Sequence, residues 1–332
     1  MKTLALLIIL LTTPLSAAGE QAPFTPNPDA FRLAVRPDGK PLVIAHRGAS
    51  GYLPEHTLAA YAAAYFMGAD VIEPDVVLTK DGVPICSHDI TLDETTDVAE
   101  KFPGRARDDG KHYAIDFTLA EIKTLAKLGR EGRVRMPGHT LPTLSEMITL
   151  VQSLNASFGT TVGIIPEAKK PAFHRSEGQP IEAPLVSALA AHGYTDRDDA
   201  CAIQCFDLDA LATIRHDLSC DLPLAFVFGE EPPRAALDRA ADFCDAFGPS
   251  FKALTESPTL MSLFQPGGDF ERFGLYPWTF DNDRTRMTRA YRMGIAGLFT
   301  DYTDAGVSAR DTAELDAPAR LDPRLRETIS RD

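Results

Sequence analysis

The chain has 332 residues, 44% hydrophobic and 24% charged, an ordinary globular composition that suits one large α/β domain or two medium ones. A formal net charge of −14 repels phosphate-backbone polymers, so no nucleic-acid partner is expected. Beyond the N-terminus no stretch is apolar enough to span a bilayer, so no stable membrane insertion is expected either.

Residues 1–18 have the three parts of a secretory signal peptide: Lys2, an apolar run over 4–11, and the small residues Ser16-Ala17-Ala18. The apolar run is too short for a bilayer core, which takes roughly 20 residues. The expectation is therefore a cleaved leader and a periplasmic mature chain. A Pro-rich lead follows over 19–40, then one domain over 41–308 and a polar C-terminal tail over 309–332. The five cysteines, Cys86, Cys201, Cys205, Cys220 and Cys244, are odd in number. If Cys201 and Cys205 share a strand they stand roughly 13 Å apart, beyond disulfide reach. Buried, small apolar side chains are the expectation for them.

Nine β-rich runs, at 42–46, 71–77, 83–88, 162–167, 201–205, 224–228, 243–247, 275–279 and 297–300, alternate with helix-like segments. This is the pattern of βα units around a parallel sheet, an α/β fold. Nine is one too many for a (β/α)8 barrel. The surplus sits at Thr79-Lys80-Asp81-Gly82, because Asp-Gly between strands marks a hairpin and not a parallel crossover. An Ala-rich helix is expected over 56–67, a capping box at Thr143-Leu144-Ser145-Glu146, and a helix over 208–214 behind Asp207. Over about 90–142 the alternation lapses and only 119–128 looks helical. That is too long for an ordinary βα loop and is read as a small subdomain inserted after the third strand run, over the end where the strands finish.

In such a barrel the carboxyl ends of all strands converge on one face, so polar residues at strand ends gather there. His46 and Arg47 end the first run, with Gly48 and Gly51 letting the backbone turn close to a ligand, and Arg47 offers a planar fork for phosphate oxygens. Glu73 and Asp75 are two apart in an apolar strand, so both point to one side, where they suit a hard divalent cation such as calcium or magnesium. Glu167 and Lys169 repeat the spacing, as a third metal ligand and a phosphate-neutralising cation. His88, before Asp89, supplies a second imidazole, and two imidazoles flanking a phosphate provide a base and an acid near neutral pH. Zinc is less well supported, because no His or Cys residues fall at ligand spacing. Trp278, the only tryptophan, either walls a substrate pocket or packs in the core.

These motifs resemble one family. The segment Ala45-His46-Arg47-Gly48-Ala49-Ser50-Gly51-Tyr52-Leu53-Pro54-Glu55-His56-Thr57 is similar to the opening of bacterial periplasmic glycerophosphodiester phosphodiesterases. Glu73-Pro74-Asp75-Val76, Ser87-His88-Asp89, Thr96-Asp97-Val98, Tyr113-Ala114-Ile115-Asp116-Phe117-Thr118-Leu119, Pro166-Glu167-Ala168-Lys169, Gln204-Cys205-Phe206-Asp207 and Gly297-Leu298-Phe299-Thr300-Asp301 follow in the same order. The resemblance covers about 42–304 and implies a TIM barrel with a small inserted subdomain. It further implies hydrolysis of glycerophosphodiesters, such as glycerophosphocholine and glycerophosphoethanolamine, to sn-glycerol 3-phosphate and an alcohol. By matching position it implies Ca2+, alternatively Mg2+, on Glu73, Asp75 and Glu167. His46 and His88 become the acid/base pair, and Arg47 and Lys169 hold phosphate. A homodimer is the form that self-association would take. Three departures stand out: Ile90 where close periplasmic relatives often carry a second His, Ala168 in place of a larger aliphatic, and a shorter 228–278 segment.

Overall fold

The computed structural model describes residues 31–32, 35–129 and 138–315. The signal-like segment, most of the lead and the end of the tail lie outside the described residues. Among those described, the strands are β1 Leu42–His46, β2 Val71–Glu73, β3 Asp75–Leu78, β4 Pro84–Cys86, β5 Gly163–Ile164, β6 Glu167–Ala168, β7 Ile203–Cys205, β8 Leu224–Phe228, β9 Ala246–Pro249, β10 Gly274–Leu275 and β11 Gly297–Thr300. All pair in parallel except β4, which runs antiparallel to β3.

Two pairs of these strands are halves of single barrel strands. Pro74 separates β2 from β3, and Ile165-Pro166 separates β5 from β6. A proline has no N–H to give the ladder, but the carbonyls carry the pairing across. The Glu167 N–H donates to Pro74 O at 2.9 Å and the Gln204 N–H to Pro166 O at 3.0 Å. The ring closes where the Ala296 N–H donates to Leu275 O at 2.9 Å and β11 pairs with β1. Eight parallel strands therefore form a closed barrel. The run 83–88 is the surplus: it contains β4, and Thr79-Lys80-Asp81-Gly82 forms the expected hairpin with Gly82 at φ +74°.

Alternation sorts the side chains. Val43, Ala45, Ile72 and Ile203 face the surrounding helices, whereas Leu42, Ile44, Val71, Ile165, Ala202 and Phe299 fill the barrel interior. Phe31 and Val35, from the segment read as a lead, join that interior cluster. The helix Thr303–Leu315 packs Ala305, Ala309 and Ala313 inward, so ordered structure continues past the expected boundary at 308.

The inserted segment has a core of its own, built from Val77, Ile85, Leu92, Val98, Phe117 and Leu125 among others. It follows β4 and hence the second barrel strand. Its helix is distributed differently from the expectation: the run 119–128 is helical only over Leu119–Ile122, opened by a Thr118–Glu121 capping box, while short turns of helix form at Val98–Lys101 and Ala114–Asp116. Arg107, paired with Asp116 inside the segment, ties it to the barrel through Glu177, and Tyr113 stacks on Phe173 with ring centroids 5.3 Å apart. The expected box at Thr143 and Glu146 opens the helix Leu144–Phe158. The expected helix over 56–67 starts later, at Leu58, because Thr57 is its cap and His56 is held in a turn at φ +55°. All five cysteines are buried free thiols. No helix of the described residues is long and apolar enough to cross a membrane.

The His174 ring is buried in the helix Pro171–Ser176, and neither ring nitrogen has a hydrogen-bond partner. Burial pushes its pKa down to about 4 from an ordinary 6.5, against the pull of Glu177. Between those values the unfolded chain binds more protons than the folded one, so stability falls as pH drops through that window. The melting temperature followed by circular dichroism should decline from pH 6.5 to 4.5, and less steeply in His174→Leu.

Candidate active site

The barrel mouth is built by extending the inward-facing series one or two steps beyond the apolar interior. Ile44 is followed by His46, Val71 by Glu73 and Asp75, Ile165 by Glu167 and Lys169, Ala202 by Gln204, and Phe299 by Asp301. Register aligns them, with His46 beside Glu73 and Asp75 beside Glu167, which in turn adjoins Gln204. The same interior surface that is apolar below thus becomes charged at the top.

Glu73, Asp75 and Glu167 are buried and offer oxygens that all lie within 4.8 Å of one another. Burial, then repulsion from Asp75 and Glu167, pushes the Glu73 pKa well above the usual carboxylate range. Burial and Asp75 push Glu167 up to about 7, with Lys169 opposing. Burial works against ionisation of Asp75 as well, yet Lys169, His56 and Arg47 hold its pKa well below normal. Lys169 Nζ lies 2.7 Å from Glu167 Oε1 and 3.4 Å from Asp75 Oδ1. Two carboxyls whose pKa is raised beside a third whose pKa is lowered make up a space short of positive charge. An all-oxygen set of this kind fits calcium or magnesium.

Arg47 and Gly48 turn the chain at the end of β1, both in the left-handed region, with φ +61° and +82°. The turn aims the Arg47 N–H at Glu73 Oε2 at 2.8 Å, while the guanidinium lies 3.1 Å from Glu55 and 3.2 Å from Asp75. His46 Nδ1 is 2.7 Å from Asp301 Oδ1, and Ser50 Oγ donates to the same oxygen at 2.8 Å. Burial pushes the His46 pKa down, against the upward pull of Asp301. That shift favours the neutral ring, in which Nδ1–H donates to Asp301 and Nε2 accepts from Arg47 Nε at 3.3 Å at the edge of the cavity.

His88 comes from outside the barrel. It stands just past β4, half-exposed, with Nδ1 2.8 Å from Asp89 Oδ1. It nonetheless lines the same cavity of about 130 Å³ as His46, Arg47, the three acids and Lys169. A larger cavity of about 730 Å³ shares His88, Glu167, Lys169 and Phe206 with it and runs between the inserted segment and the loops after β6 and β7. Trp278 lines the smaller cavity, donates its Nε1–H to Gly248 O at 2.8 Å, and meets Phe206 edge-on with centroids 5.5 Å apart. It serves as wall and packing element together.

All eight residues expected at the site from sequence meet at this one cavity. Sequence reasoning missed the individual parts played by Asp301, Glu55, Gln204 and His56. Asp301 was accessible to the strand-end rule, two residues beyond inward-facing Phe299. Gln204 Nε2 donates to Glu73 Oε1 at 3.2 Å, and its place on β7 follows from the same alternation. Glu55 and His56 lie in a loop, and no periodicity points to them.

A model of the glycerophosphoryl diester phosphodiesterase family matches residues 46–305. The chain belongs to that family. A glycerophosphodiester phosphodiesterase of Haemophilus influenzae is 33% identical over 327 residues, covering 80% of this chain and 88% of that one. Among solved structures, a phosphodiesterase of Oleispira antarctica in complex with the product sn-glycerol-3-phosphate is 25% identical with a TM-score of 0.63, covering 82% of this chain and 98% of that one. A Silicibacter pomeroyi structure described as a glycerophosphoryl diester phosphodiesterase has a TM-score of 0.66 at 21% identity, covering 84% and 97%, and shares the barrel fold.

Within this family site, Gly48 is a tight backbone position. A Cβ there would lie 2.7 Å from the Ala60 carbonyl carbon, in addition to the left-handed φ. Gly48→Ala should cost roughly 1–3 kcal/mol, read by urea unfolding, because the turn cannot relax without moving Arg47.

Proposed function

We propose that the chain hydrolyses glycerophosphodiesters such as glycerophosphocholine and glycerophosphoethanolamine to sn-glycerol 3-phosphate and the free alcohol, with calcium, or alternatively magnesium, on Glu73, Asp75 and Glu167. The observation that carries this reading is the close cluster of those three acids in a cavity that also receives both His46 and His88. With the signal-like residues 1–18, the reading extends to a periplasmic enzyme.

When bound, a divalent cation supplies positive charge to the phosphoryl oxygens. Arg47 and Lys169 add fixed positive charge from the β1 and β6 ends, where burial strengthens their effect. His46 and His88 divide the proton transfers. One takes the proton of the attacking oxygen, whether water or the neighbouring glycerol hydroxyl, and the other returns a proton to the departing alcohol. Asp301 fixes the His46 tautomer for this work. His88 borders both cavities, so an alcohol larger than the small cavity has room to extend toward Phe206, beside Trp278.

Purified protein given glycerophosphocholine and calcium should release sn-glycerol 3-phosphate, followed by a coupled dehydrogenase, and stop when chelator is added. His46→Ala and His88→Ala should each lower kcat by about 10²–10⁴-fold. Normal turnover in either variant refutes the acid/base assignment. Because burial and mutual repulsion raise the pKa of Glu73 and push that of Glu167 up to about 7, calcium uptake near pH 7 should release protons, and affinity should weaken as pH falls. Titration calorimetry in buffers of different ionisation enthalpy measures the proton count. No buffer dependence would contradict it.

A further inference from the structure

His56 and Tyr61 are fully buried, and neither enters the chemistry described so far. His56 sits in the turn after Glu55, and Thr57 starts the helix Leu58–Phe66 by accepting from the Ala60 N–H, which brings Tyr61 back over the His56 ring. His56 Nε2 lies 2.9 Å from Asp75 Oδ2, and Nδ1 lies 2.9 Å from the Tyr61 hydroxyl. These contacts set the direction of each hydrogen bond. An ionised Asp75 only accepts, so Nε2 carries the hydrogen. Nδ1 of a neutral ring is then an acceptor, and the Tyr61 hydroxyl must donate to it. Burial also keeps the Cys86 thiol of β4 protonated.

We propose that Tyr61 and His56 are positioning residues for the cation site: the Tyr61 hydroxyl locks the His56 tautomer, and the imidazole holds the Asp75 carboxylate facing Glu73 and Glu167. The proposal rests on the reading that these acids bind a divalent cation. Its physical content is orientation. The Asp75 backbone is fixed at the start of β3 by its pairing with Glu167 and by the Ser87 N–H, which leaves the side-chain rotation of the carboxylate as the freedom to be removed. A second fixed donor removes the freedom of the carboxylate to rotate away from its two neighbours. Hydrogen-bond partners of metal-binding side chains typically contribute 10–100-fold to metal affinity.

The test is calcium titration by calorimetry on chelator-stripped protein. Tyr61→Phe and His56→Ala should each weaken calcium binding by about tenfold or more with unchanged far-UV circular dichroism. His56→Gln, whose amide N–H reaches toward the Nε2 position, should recover much of the loss. Raising calcium should restore most of the turnover of Tyr61→Phe, whereas it should not restore His46→Ala. If His56→Ala does not fold, Tyr61→Phe decides the matter alone. A folded Tyr61→Phe protein that binds calcium within about twofold of wild type overturns the positioning role. Wild-type protein that takes up neither calcium nor magnesium overturns the cation reading beneath it, and the wild-type titration distinguishes the two failures.

Discussion

Glu73, Asp75 and Glu167 repel one another within 4.8 Å in a space that water does not freely screen, and the groups placed around them answer that repulsion. Lys169 and Arg47 provide the nearest positive charge. Gln204, the Arg47 N–H and His56 donate hydrogen bonds to carboxylate oxygens. These contacts hold Asp75 ionised but leave Glu73 and Glu167 holding protons more tightly than ordinary carboxyls. The arrangement is costly for the fold and useful for chemistry, because a site that lacks positive charge is disposed to take up a cation.

The barrel sets where this conflict sits. Strand alternation carries an apolar interior upward until the inward-facing positions become charged, and Pro74 and Pro166 fall where the second and third barrel strands meet the site. The helix cap at Thr57 and the left-handed turn at Arg47-Gly48 do the remaining work, bringing His56 under Asp75 and a backbone N–H onto Glu73. Burial of so many polar groups is tolerated because nearly every one finds a partner from a neighbouring strand end.

Much of this was legible in the sequence, for a physical reason. The period of two in a strand is strict, so Glu73 with Asp75 and Glu167 with Lys169 could be assigned to common sides without coordinates. The hairpin was legible because Asp81-Gly82 has few other uses between two strands. What alternation could not show is which loop residues fold back. Glu55 and His56 become parts of the site only through the turn at φ +55° and the start of the next helix. His88 was identified by residue type and order, but the sequence placed it at the end of a strand run without showing that its run leaves the barrel. The helix read over 119–128 was too long, because apolar spacing there serves a small irregular core as well as a helix, and the short turns at Val98–Lys101 and Ala114–Asp116 were missed because they carry no helical period.

His88 belongs to the element that leads into the inserted core, whereas His46 belongs to the barrel. The inserted core packs on β3 through Val77 and meets the barrel again near the mouth through Arg107 and the Tyr113–Phe173 stack. His88 itself stays close to the barrel, because β4 pairs with β3 and the adjacent Ser87 N–H donates to Asp75 O at 3.0 Å. The spacing of the two imidazoles is thus set by the same hairpin pairing that places Asp75, so one short stretch of ladder serves the cation site and the proton transfers together.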